Sequence, residues 1–222
     1  RRQRQMCIRD RLDDMKKLLY RSTRFSYYLL FALSLPIILK MDYILHLWLK
    51  DVPDYTTGFC QLVLICSLVS TLSNLLAQVA RAYGKIRNYQ IVVSLFLFMN
   101  FPLSYIVLKM GFSPLATMCV NIGIQAMLLF VRLRLTGKMI KMTYMNFVKN
   151  VLVQVVVVTF MAIIIPLIIC SILDDTFVSF VIVSIVSFIC VCLSTYSLGM
   201  NTNERQYILS VILRITQKAK WK

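Results

Sequence analysis

An all-α bundle of six transmembrane helices is the fold class this sequence predicts, and three observations predict it. Hydrophobic residues make up 59% of the 222 and charged residues only 15%, with six Gly and five Pro, a balance rarely met in a soluble domain of this size. Mean hydropathy is +0.74. The apolar residues fall into six runs, each near the roughly 20 residues that cover the hydrocarbon core at about 1.5 Å per residue. The basic residues sit in clusters between those runs. A formal charge of +16 raises nucleic acid as a partner, but a nucleic-acid surface gathers its cations on one face. Clusters separated by apolar spans are topology signals instead, so no nucleic-acid partner is expected.

Residues Arg1 to Arg11 (RRQRQMCIRDR) resemble the in-frame translation of a transposon-end sequencing adapter. Residues 1–11 are therefore expected to be a non-native scar and are set aside. The chain from Leu12 onward carries no initiator Met, signal peptide or first-helix pattern at its start. The native chain is expected to begin mid-protein, at or near Leu12, with residues 12–222 forming one transmembrane lobe.

A polar, basic lead-in holds Asp13, Asp14, Lys16, Lys17, Arg21 and Arg24. The first span, 25–48, is apolar from Phe25 to Leu39, and its helix is expected to continue through Lys40, Asp42 and His46 to Trp48 as an amphipathic end stopped by Pro53. The second, 58–80, closes on a basic turn with Arg81, Lys85 and Arg87. The third, 89–108, is followed by a turn at Gly111 and Pro114. The fourth, 115–135, leads into a basic loop with Arg132, Arg134, Lys138, Lys141 and Lys149. The fifth and sixth, 147–173 and 177–198, meet at Asp174 and Asp175, and a basic tail covers 199–222.

Charge at alternate ends orients the spans. Past residue 11, one side collects 17 Lys and Arg, against Lys40, Lys50 and Lys109 on the other, which places both ends of the chain in the cytoplasm. The outer side holds Asp42, Asp51, Asp54, Asp174 and Asp175, with Tyr43, Trp48 and Tyr55 as an aromatic belt.

The stretch from Gly58 to Gln90 carries the candidate site. At about 100° per residue, Ser67, Ser70, Thr71, Asn74, Gln78 and Arg81 fall within about 60° of one direction, opposite Leu62, Ile65, Val69, Leu72, Leu76 and Val79. Such a stripe in a span is expected to face protein or water rather than lipid. Asn121 and Gln125, one turn apart with Arg132 below them, form a second polar set. Asn100 and Ser104 form a third beside Pro102, which frees backbone groups that polar side chains can satisfy. Packing between helices is the alternative role for each set, and the charge pattern alone accounts for Arg81. Pro36, Pro102 and Pro166 are hinge candidates, since proline removes a backbone donor and kinks a helix; proline is also simply frequent in transmembrane helices. Ser187, Cys190 and Ser194 form a small-residue seam suited to close packing.

Enzymatic chemistry is not expected. Past the scar the carboxylates are Asp13, Asp14, Asp42, Asp51, Asp54, Asp174, Asp175 and Glu204, none of them mid-span where a general acid or base would sit. His46, beside Trp48, reads as an interfacial residue. Cys60, Cys66, Cys119, Cys170, Cys190 and Cys192 lie in apolar spans, where Cys behaves as a small hydrophobe, and show no metal-ligand spacing. No phosphate-binding glycine pattern occurs, and no cofactor is expected.

Three runs nonetheless suggest a family. Ile44-Leu-His-Leu-Trp-Leu49 with Val52-Pro53, then Ala82-Tyr-Gly-Lys-Ile-Arg-Asn-Tyr-Gln90, then Gly199-Met-Asn-Thr-Asn-Glu-Arg205 together resemble the polysaccharide (O-antigen type) flippases of the multidrug/oligosaccharidyl-lipid/polysaccharide exporter superfamily. The resemblance covers the chain from Leu12 onward. It implies most of the C-terminal lobe of a 12–14-helix exporter in a bacterial inner membrane, with the N-terminal lobe of the same protein missing. It also implies that a lipid-linked oligosaccharide, usually on undecaprenyl diphosphate, is flipped by alternating access for surface-polysaccharide export. Asn74 and Gln78 would then meet sugar hydroxyls and Arg81 a diphosphate, while the last two helices would form a groove for the prenyl tail. A cation-coupled drug antiporter of the same superfamily and a membrane-embedded sugar polymerase or transferase are the alternatives. The antiporter commonly needs an acid within a span, and the polymerase a sizeable outer loop.

Overall fold

The computed structural model describes residues 2–200, apart from positions 50, 85, 141 and 175 and the side chains of residues 2–12. The expected tail from 201 onward, and with it most of the third family-like run, lies outside the described residues.

Nine helices occur among the described residues: α1 Arg2–Leu39, α2 Met41–Trp48, α3 Thr56–Ala82, α4 Ile86–Phe98, α5 Asn100–Lys109, α6 Leu115–Ile140, α7 Tyr144–Phe147, α8 Val153–Ile172 and α9 Phe177–Ser194. A π-helical turn, Val148–Leu152, joins α7 to α8, and a second, Thr195–Gly199, ends α9. Six helical stretches among these residues are long and apolar enough to cross a bilayer: 13–39, 56–82, 86–109, 115–140, 144–172 and 177–199. The chain is an all-α, multi-pass membrane protein. Large apolar side chains such as Leu95, Phe101, Phe160, Ile172 and Leu193 stand exposed on several of these helices, which water would penalise and lipid accepts.

The span ends differ from the sequence expectation. The basic lead-in is helical and continuous with the first span; Leu19, Thr23 and Arg24 are buried, and Lys16 pairs with Asp13 at 2.9 Å one turn away. The expected continuation to Trp48 is broken at Lys40, where the backbone leaves helical geometry (φ −114°, ψ 33°) before α2 begins. The carbonyls exposed by that break find side-chain donors: Gln61 Nε2 donates to Ile38 O at 3.1 Å and Cys170 Sγ lies 3.5 Å from Leu39 O. Lys40, itself buried, donates from Nζ to Leu173 O at 3.1 Å, which closes the far end of α8. Buried helix ends need such partners because no water serves their carbonyls. His46 is satisfied locally, with Nδ1 2.8 Å from the Asp42 carbonyl.

Span four also runs longer than expected, to Ile140, so Arg132, Arg134 and Lys138 lie on α6 and not in a loop. Long basic side chains can reach the water boundary from a helix that continues past the hydrocarbon. Span three is interrupted at Met99, where Pro102 has no N–H to donate to Phe98 O.

α1 is the central rod. It packs against α3 on one side and against α8 and α9 on the other, while α6 covers α3 and in turn carries α4 and α5. The main core joins Leu19, Phe31, Leu72, Leu76, Phe147 and Val158, among others. A smaller one sets Ala77 and Ala80 of α3 against Tyr89, Val93 and Leu128; two alanines let the helices approach closely. Ser187 and Cys190 of the small-residue seam are buried.

Candidate functional site

The side chains that pack α3 into the bundle also aim its polar stripe. Leu68, Leu72 and Leu76 bury toward the main core, and Ser73, Ala77 and Ala80 bury toward α4 and α6. The stripe points away from both. Its upper half is satisfied within the helix: Ser67 donates to Val63 O at 2.9 Å, Ser70 to Ser67 O at 3.0 Å, and Thr71 to Ser67 O at 2.8 Å. These three are half-buried, and such back-bonding lets hydroxyls sit in an apolar setting. Asn74, Gln78 and Arg81 are exposed, and none of them makes a hydrogen bond within the described residues. Spaced four and three residues apart, they form a line about 10 Å long, two amides leading to one guanidinium.

The second polar set does not join that line. α6 runs parallel to α3, and Asn121 Nδ2 is turned into the helix interface 3.5 Å from Cys66 Sγ. Gln125 is half-buried and makes no hydrogen bond within the described residues. Arg132 donates from Nη1 to Ser73 Oγ at 2.9 Å, and the Ser73 hydroxyl in turn donates to Ser70 O at 3.0 Å. Arg132 Nε and the Tyr89 hydroxyl are buried without a partner among the described residues. Ser104 Oγ donates to Asn100 Oδ1 at 3.3 Å, a pair within α5.

A polar seam between α1 and α8 has no counterpart in the sequence expectations. Arg24 is buried and bonds through Nη1 to Gln154 Oε1, and the hydroxyls of Tyr27 and Thr159 lie 3.0 Å apart. Its signal is Gln154, the one amide in the run from Val151 to Val158. Above the seam, α1, α3 and α8 enclose an apolar groove of about 470 Å³ lined by Phe31, Leu35, Leu68, Leu72, Val156 and Phe160, among others.

The proline positions divide. Pro36 lies just before the break at Lys40 and Pro102 just after the one at Met99, whereas α8 passes through Pro166 uninterrupted. Among the described residues no three of His, Cys, Asp or Glu gather as metal ligands would. Comparison with protein-family models, curated proteins and solved structures returned no match.

Proposed function

We propose that this chain is one lobe of a transporter that flips a lipid-linked oligosaccharide across the bacterial cytoplasmic membrane, with both of its ends in the cytoplasm. One observation carries the reading: Asn74, Gln78 and Arg81 form an exposed polar line, without hydrogen-bond partners among the described residues, along a helix long enough to span the bilayer. Polar groups at membrane depth face a cavity or a protein partner. The amides suit sugar hydroxyls, and Arg81, at the end that gathers the basic residues, suits a diphosphate through charge-assisted bonds. The facing wall would come from the missing N-terminal lobe of the same protein. The apolar prenyl tail would stay in the lipid beside the lobe, so that only the glycan and diphosphate cross the polar path.

The test is translocation of a fluorescent undecaprenyl-diphosphate-linked glycan in proteoliposomes. The complete transporter is expected to flip it, and N74L/Q78L/R81Q in that protein to do so roughly 100- to 1,000-fold more slowly, from about 1 kcal/mol per neutral hydrogen bond and about 1.5–3 kcal/mol for the charged one. The 222-residue chain alone is expected to insert without transporting. Unchanged flipping by the triple variant would remove the stripe from the path.

Orientation has its own check. In a cysteine-free background, T143C is expected to react with an impermeant maleimide only from the cytoplasmic side, and D174C only from the opposite side. Reaction of both from one side would overturn the topology.

A further inference from the structure

At the cytoplasmic end of α6, we infer that a cavity of about 580 Å³ binds the phosphate headgroup of an anionic phospholipid. Its wall includes Phe130, Arg134, Lys138, Met142, Thr143 and Tyr144. Phe130, Arg134 and Lys138 follow one another every four residues, so they share one ridge of the helix. The ridge passes from an exposed aromatic ring to two cations over about 12 Å, the order in which an acyl chain and a phosphate meet a membrane protein.

The opposite wall is made by the chain folding back on α6. Met142 N donates to Gly137 O at 2.9 Å, and a Cβ placed on Gly137 would lie 2.9 Å from Met142 O. Only glycine at 137 leaves room for that return, which brings Thr143 and Tyr144 alongside Arg134 and Lys138. Thr143 precedes α7 in extended geometry without using its hydroxyl as a cap. Tyr144 is 62% exposed, an aromatic at headgroup level as membrane boundaries favour.

Charge decides the ligand. Arg134 and Lys138 are exposed, and neither forms an ion pair or hydrogen bond within the described residues. Two cations without a counter-ion, with a free hydroxyl beside them and an apolar ring on the bilayer side, call for an anion that brings its own hydrocarbon. Phosphatidylglycerol meets that description, and basic pockets on the cytoplasmic side of helices are where anionic headgroups bind. Inorganic phosphate shares the headgroup chemistry but would leave Phe130 and Met142 uncovered.

The test uses the 222-residue chain in phosphatidylcholine vesicles with spin-labelled phosphatidylglycerol, read by the protein-immobilised fraction of the label. The unmodified chain is expected to prefer phosphatidylglycerol over a phosphatidylcholine label. R134Q/K138Q is expected to lose on the order of ten-fold in relative association, while R134K/K138R and R87Q, the latter altering a cation outside the cavity, retain it. Should R134Q/K138Q fail to fold, R134Q alone and T143V/Y144S carry the test, each expected to lose roughly three-fold. No loss in any of these variants, or an equal loss in R87Q, overturns the site. Displacement of the labelled lipid by excess inorganic phosphate overturns the assignment to lipid.

Discussion

Phe147→Ala is expected to destabilise the bundle by about 3 kcal/mol, the low end of the range for removing a buried aromatic ring. Phe147 is fully buried at the junction of α7 and the π-helical turn, with Tyr20 edge-on at 5.9 Å between ring centroids. It shares the main core with Ile140, Met142 and Val151, so one ring joins the basic ends of α1, α6 and α8. Lipid is as apolar as the core, so part of the transfer gain that Phe burial brings in water is absent here. The cavity and the lost dispersion contacts remain. Phe147→Leu keeps most of the volume and is expected to cost under about 1.5 kcal/mol. Phe160→Ala, on a ring 70% exposed, is expected to change stability by less than about 0.5 kcal/mol. Unfolding in mixed micelles of rising denaturing-detergent fraction measures all three. Equal losses for Phe147→Ala and Phe160→Ala would mean that the packed junction does not exist in the membrane.

That junction also marks where sequence reasoning stops. The six spans were legible because bilayer thickness imposes a minimum apolar length on any crossing helix, and the runs around Leu30, Leu62, Ile106, Leu128, Val158 and Phe188 mark them. Their basic ends were not legible. Reading each span to stop where charges begin placed Arg132 and Lys138 in a loop and Arg24 in a lead-in. A helix needs backbone hydrogen bonds rather than apolar side chains to continue, and Arg and Lys are good helix formers. The π-helical turn at Val148–Leu152 has no signature in its own residues. It precedes Val155, Val158 and Ala162, all buried against the rest of the bundle, and that register is set by the neighbouring helices. The α3 stripe was legible as a direction, since angular position follows from residue spacing alone. The burial of Ser73 beneath Arg132 depended on where α6 lies, 59 residues further along.

Gln154→Leu is expected to cost about 2 kcal/mol, because the Arg24 guanidinium would stay buried with one acceptor fewer. Hydrogen bonds to a charged group are worth about 1.5–3 kcal/mol, and measured pairs between membrane helices reach about 1.7, so the lower part of the range applies. Leucine fills nearly the volume of glutamine, so the loss reports the bond rather than a cavity. Arg24→Leu removes charge and bond together. With both substitutions present the penalty of an under-satisfied cation disappears, so R24L/Q154L is expected to be more stable than the two single losses added together imply. A coupling of about 1–2 kcal/mol in the resulting cycle would identify Arg24 as a tie between α1 and α8. Strict additivity would return it to the role its sequence position suggested, one more cation at the cytoplasmic boundary. The cycle separates these roles because a cation that only sets topology has no reason to respond to an amide 130 residues away.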